Sequence, residues 1–334
     1  MPHRTQPTQP LHRPLRLSDP AAPWWLPGGH AQTIWPALFS PAPTLALRRE
    51  RWEWNDGDFV DADWVQPEPR EAWAPVLVIF HGLEGSSKSH YARAIAHAAT
   101  RAGLRVVIVH FRGCSGEPNR LARAYHSGDA DEIERVAQRL HASYPVASLY
   151  ACGISLGGSA LANYVALRGE ACLFSAAVAA CAPLDLAAGG AAISQGFSMV
   201  YTRMFLRTMK RKAMEKLARF PGLFDAAKMR VARDLYDFDN LFTAPVHGYR
   251  NTEDYWARAS AKPHLRGATK PLLLVNPLND PFVPAASLPK PNEVSPAVTL
   301  HYPRHGGHVG FATGGMPGRL DWLPAMVLDY LGVK

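Results

Sequence analysis

Six short, nearly continuous apolar runs set the texture of the chain. They are VLVIF at 76–80, RVVIV at 105–109, LYAC at 149–152, AAVAAC at 176–181, LLLV at 272–275 and VTLHY at 298–302. Such runs leave no polar face for solvent, so they predict strands covered on both sides: a mostly parallel sheet with crossover helices. Upstream, Leu45 to Val65 reads as two strands around the turn signal Asn55-Asp56-Gly57-Asp58, an antiparallel hairpin. Together these predict an α/β fold with a central sheet of about eight strands and helices on both faces.

The intervals between the runs carry helical spacing. Residues 89–102 place Tyr91, Ile95, Ala98 and Ala99 on one stripe, and residues 129–142 turn Ile133, Val136 and Leu140 inward. The second segment opens on Asp129, Asp131 and Glu132, and carboxylates suit a helix N-terminus. Roughly ninety residues separate Cys181 from Leu272, too many for one crossover. The surplus predicts a helical cap inserted at about 186–265. In it Phe197, Tyr201 and Phe205 share a helix face that packs on the core, a face compatible with a pocket wall for an apolar substrate. Arg203, Arg207, Lys210, Arg211 and Lys212 form a solvated side. At the other end of the chain, residues 1–23 are rich in Pro and Arg and predict a mobile arm. Order is expected from residue 24 to 334, beginning where Trp24, Trp25, Ile34 and Trp35 offer apolar surface to bury.

Composition narrows the function classes. A chain of 334 residues can bury a sizeable core, and its net charge of +8 permits attraction to anions without naming a partner. No nucleic-acid partner is expected, and the basic side of the cap allows at most a weak contact with a membrane surface. Oligomeric state is not legible. Cys114, Cys152, Cys172 and Cys181 show no CxxC spacing, which predicts reduced packing residues. The N-terminal stretch lacks the apolar core of a signal peptide and no later run could span a bilayer, so a soluble cytoplasmic protein is expected.

The chemistry begins at Gly153-Ile154-Ser155-Leu156-Gly157, a G-x-S-x-G string. An apolar strand runs into it and a helix leaves it, as the motif requires: the turn is so tight that positions two before and two after the serine must be small. The hydroxyl then stands at a helix N-terminus, where backbone N–H groups can hold a developing oxyanion. Serine is a weak nucleophile unless a base takes its proton and a third group fixes that base. In this architecture both follow the serine, each just past a later strand. Asp280 in NPLNDPFVP follows LLLV, and His308 in PRHGGHVGF follows VTLHY. Asp185, in APLDL at the cap entrance, is a rival acid. The strand VLVIF ends in His81-Gly82, which brings the Leu83 amide towards the same oxyanion as the Leu156 amide.

Other patterns compete for attention. GLEGSSKS at 82–89 stands one residue from the phosphate-loop pattern, Ser87 replacing the second glycine, so an NTPase is a rival reading. His301, His305 and His308 crowd together, but zinc needs three or four converging ligands and no HExxH or paired-cysteine partner accompanies them; no metal or cofactor is expected. His126 and Asp131 form H-x-x-x-x-D, a pattern some acyltransferases use. Here the aspartate is expected in the first turn of a helix, where a carboxylate is stabilised anyway. A non-catalytic binding protein on the same fold is a further alternative.

Taken together, PWWLPGGHAQTIWP, HGLEGSSKSHYAR, FRGCSGEPN, YHSGDADEI, GISLGG, TAPVHGY and GGHVGF make the chain resemble the α/β-hydrolase superfamily over nearly its whole length. The resemblance is to its YheT-like branch, related to medium-chain acyl ester hydrolases and acyltransferases. It implies a Ser155, Asp280, His308 triad, an oxyanion hole from the Leu83 and Leu156 amides, and action on a small-molecule ester or thioester. Hydrolysis of short- or medium-chain acyl esters is expected, with acyl transfer to an alcohol as the alternative.

Overall fold

The computed structural model describes residues 18–333; most of the expected arm at 1–23 lies outside them. The chain opens with helix α1 (Gly28–Leu38) and then forms the expected hairpin, β1 (Ala46–Glu53) and β2 (Phe59–Gln66). There follow β3 (Val76–Phe80), α2 (His90–Arg101), β4 (Arg105–Val109), α3 (Ala130–Ser143), β5 (Leu149–Ile154), α4 (Leu156–Arg168) and β6 (Ala176–Ala180). Six helices come next: α5 (Leu186–Ile193), α6 (Met199–Arg219), α7 (Ala226–Val231), α8 (Leu235–Phe238), α9 (Ala244–Val246) and α10 (Thr252–Ala259). The chain closes with β7 (Leu272–Val275), β8 (Val298–His301) and α11 (Trp322–Tyr330).

Eight strands form one sheet in the order β1-β2-β4-β3-β5-β6-β7-β8. The hairpin is antiparallel within itself and against β4, and every other pairing is parallel. The apolar runs read as two-faced because they are: β3, β4 and β6 are buried at every position. One core joins the sheet to α3 and α4, the other joins it to α2 and α11. Asp129 caps α3 as its acidic start suggested, its side chain accepting the Glu132 N–H.

A buried ion cluster ties the hairpin to the body. Arg112 is fully buried and reaches Asp58 at 2.8 Å and Glu132 at 2.9 Å. Glu132 also accepts from Trp54 Nε1 at 2.9 Å. Removing one partner from such a cluster leaves an uncompensated buried charge.

Two expectations need correction. Trp24 is 92% exposed, because the turn before α1 points it outward; neighbouring Leu26 is buried in its place. Phe197 is also exposed and precedes α6, so the three aromatics do not form one helical face. Tyr201 is buried and Phe205 is half-buried.

Candidate active site

The loops that follow β5, β7 and β8 at their carboxyl ends meet at Ser155. This residue sits between β5 and α4 with φ 53° and ψ −119°, a conformation that a non-glycine residue holds only when its surroundings force it. Two glycines make the turn possible: a Cβ on Gly153 would lie 2.5 Å from Gly157 O, and one on Gly157 would lie 2.5 Å from His81 O. The Ser155 N–H is fixed to Ala180 O at 2.8 Å.

His308 Nε2 lies 2.9 Å from Ser155 Oγ, and His308 Nδ1 lies 2.8 Å from Asp280 Oδ2. The second Asp280 oxygen accepts the N–H groups of Phe282 at 2.8 Å and Val283 at 3.3 Å. A carboxylate anchored in this way presents its remaining oxygen to Nδ1–H, which leaves the Nε2 lone pair facing the serine hydroxyl. The Phe282 ring packs on the imidazole at 4.1 Å between centroids.

The candidate oxyanion side is built on β3. His81 is buried, its Nε2 accepting the Phe111 N–H at 3.1 Å and its Nδ1 lying 2.8 Å from Gly82 O. Burial pushes its pKa down to about 3, so it is a neutral strut between the ends of β3 and β4. Tyr91 Oη accepts the Gly82 N–H at 2.9 Å and Tyr125 Oη accepts the Glu84 N–H at 2.8 Å. Among the described residues the intervening Leu83 N–H has no hydrogen-bond partner. Leu156 opens α4, so its N–H has no intrahelical acceptor. Leu83, Leu156, Ser155 and His308 line one apolar pocket of about 100 Å³, walled by Leu186, Ile193, Phe205, Leu235 and Val283. A larger cavity of about 540 Å³ adjoins it, sharing Leu83, Leu156, Asp239 and Tyr255.

Rival residues lie elsewhere. Asp185 caps α5 by accepting the Ala188 N–H. Asp131 is exposed and paired with Arg168, whereas His126 is buried and accepts the Gly128 N–H, so the H-x-x-x-x-D pair does not meet. In the 82–89 segment, Ser87 is buried against Asp63 Oδ2 at 2.6 Å and two of the amides are held by tyrosines, so it makes no phosphate cradle. His301 is buried in β8, stacked on Trp322, and His305 is exposed. Among the described residues, the one group of side chains close enough to hold a metal is Cys181, Asp280 and His308. Its acid and imidazole are already joined by their hydrogen bond, and burial raises the Cys181 thiol well above its ordinary pKa.

The basic side of α6 is only partly solvated. Arg203, Arg207 and Arg211 are exposed, but Lys212 pairs with Glu84 at 2.8 Å, next to the oxyanion loop. Lys216 is buried on the oxygens of Asn119, Leu121 and Arg123, and burial pulls its pKa down to about 8. Sequence reasoning also missed what supports the candidate base. Gln32 and Thr33 of α1 bond to the loop of His308, and Cys181 Sγ accepts the Val309 N–H at 3.2 Å. The GGHAQT string named the place without a task.

Comparison with known proteins places this geometry. Residues 75–315 match the family model described as alpha/beta hydrolase fold. The chain is 40% identical over 304 residues to YheT of Escherichia coli (strain K12), spanning 90% of this chain and 89% of that one. It is 27% identical to phospholipase ABHD3 of Homo sapiens, spanning 92% of this chain and 77% of that protein. Among solved structures, the Pyrococcus furiosus esterase Pf2001 superposes with a TM-score of 0.55 at 15% identity, covering 88% of this chain and 98% of its own. The chain belongs to the alpha/beta hydrolase fold family, in its YheT-like branch.

Proposed function

We propose that the protein is a serine hydrolase that cleaves short- or medium-chain acyl esters through an acyl-enzyme on Ser155. The observation that carries this is the unbroken chain of contacts from Asp280 Oδ2 through His308 to Ser155 Oγ, at 2.8 and 2.9 Å. His308 Nε2 takes the serine proton as Oγ attacks the ester carbonyl, and the Leu83 and Leu156 amides receive the charge that develops on the carbonyl oxygen. The imidazolium, stabilised by Asp280, gives its proton to the departing alkoxide. Water, deprotonated by the same nitrogen, then attacks the acyl-enzyme and restores the serine.

The apolar walls and small volume of the pocket at Ser155 favour a short, uncharged acyl group. The relatives fit an ester substrate: YheT is provisionally named an esterase, and the human relative is named a phospholipase. The adjoining cavity leaves room for a second molecule, which keeps acyl transfer to an alcohol as a second reading. A panel of p-nitrophenyl esters of increasing chain length tests both. Turnover should be highest for short to medium chains, and alcohol at concentrations far below that of water should divert most acyl groups from acid to ester only if the second reading holds. A Ser155→Ala variant that turns over these esters at the wild-type rate would remove the proposal.

A further inference from the structure

The loop around His308 is strained. Val309 has φ 63° and Phe311 φ 44°, left-handed values that are unfavourable for a β-branched and an aromatic residue and persist only when neighbours over-determine them. Val309 is held by Cys181 Sγ, which accepts its N–H at 3.2 Å, and Phe311 by Gly306 O, whereas the residues that fix Gly306 and His308 come from α1, more than 270 positions away. Gln32 is buried, and its Oε1 accepts two N–H groups: Asn279 Nδ2 at 2.9 Å, beside Asp280, and Gly306 N at 2.9 Å, two residues before His308. Its Nε2 donates to Leu26 O at 2.9 Å, fixing which way the carboxamide faces. Thr33 Oγ1 accepts the His308 N–H at 2.8 Å and donates to Gly29 O at 2.7 Å. Asn279 Oδ1 returns to the base loop by accepting the Gly307 N–H at 3.0 Å.

We infer that Gln32 and Thr33 are positioning residues for the proposed acid and base: the Gln32 carboxamide bridges the Asp280 and His308 loops, and the Thr33 hydroxyl fixes the His308 backbone. Neither touches Ser155. Both set the distance and angle at which the Nε2 lone pair meets the hydroxyl, and a misplacement of about 1 Å costs on the order of a hundredfold in rate. The inference rests on the reading of Ser155, Asp280 and His308 given above.

The test compares Gln32→Leu, Gln32→Glu and Thr33→Val with wild type and Ser155→Ala on p-nitrophenyl butanoate, well below each variant's unfolding midpoint. Gln32→Leu removes the bridging acceptor and should lower kcat roughly tenfold to a hundredfold, with KM changed less than about threefold, and displace the acidic limb of the kcat/KM profile. A purely structural role would lower the unfolding midpoint without moving that limb. Gln32→Glu keeps the accepting oxygen but sets a carboxylate oxygen against Leu26 O, so it should recover only part of the lost kcat. Thr33→Val, close to isosteric, should lose roughly threefold to tenfold and stands as the test if Gln32→Leu does not fold. Wild-type kcat in both Gln32→Leu and Thr33→Val, or losses matched by the unfolded fraction alone, would overturn the inference. If Ser155→Ala retains turnover, the underlying reading fails instead.

Discussion

The nucleophile and the base of the candidate site are held by opposite means. Ser155 is placed chiefly by its own neighbours in sequence, strand β5 before it, helix α4 after it, and Gly153 and Gly157 admitting the close backbone contacts of the turn, with Ala180 O of β6 accepting its N–H. His308 sits in a loop whose conformation is propped from outside by Gln32 and Thr33. The first arrangement is a local motif embedded in the sheet. The second is a tertiary clamp, and its parts are invisible to one another along the chain.

The difference makes distinct failures expected. Ser155→Ala removes one oxygen from a turn whose backbone is already determined. Ester turnover should fall on the order of 10⁴-fold or more while the thermal unfolding midpoint, followed by circular dichroism, moves by no more than about 2 °C. Asp280→Asn keeps the anchoring acceptor but offers the imidazole a neutral partner, and should cost on the order of 10³- to 10⁴-fold in kcat. Gly157→Ala attacks the turn itself: its Cβ would press on the His81 carbonyl in the core. Denaturant unfolding should show a loss of about 3 kcal/mol or more, and a stability close to wild type would break the contrast drawn here.

A smaller, pH-linked effect should appear behind the oxyanion loop. Burial alone would raise the Asp63 pKa, but hydrogen bonds from Arg49, His110 and Ser87 outweigh it and hold the carboxyl below the usual carboxylate range. A depressed native value means that the stabilisation is complete above the ordinary aspartate pKa near ~4 and is lost as pH falls through it towards the native value. The lost stability should approach at most about 1.4 kcal/mol per pH unit. Asp63→Asn should therefore be less stable than wild type at neutral pH, the gap narrowing as the medium is acidified. A gap constant with pH would contradict the assignment.

What could be read from the sequence follows the same division. The two-faced strands and the hairpin at Asn55–Asp58 were legible because an unbroken apolar run and a cluster of turn residues are local records of burial and of chain reversal. The meeting of Ser155, Asp280 and His308 in space was legible because each is tied to the end of a strand. Trp24 misled because an exposed tryptophan and a buried one look alike in sequence, and only the turn into α1 decides. Phe197 misled because the break between Ser198 and Met199, where the 3₁₀ turn gives way to α6, leaves no mark on residue spacing. Lys212 read as a solvated charge because its partner, Glu84, is 128 residues upstream. Gln32 and Thr33 carried no signal of task at all, since their partners lie near the other end of the chain.

The central claim is a covalent acyl group on Ser155. Wild-type enzyme turning over p-nitrophenyl butanoate, quenched in acid within the first turnovers and digested, should yield the peptide containing Ser155 heavier by one butanoyl group, and the modification should decay as substrate is exhausted. Turnover with no adduct on that peptide, or an adduct on another residue, would contradict the account.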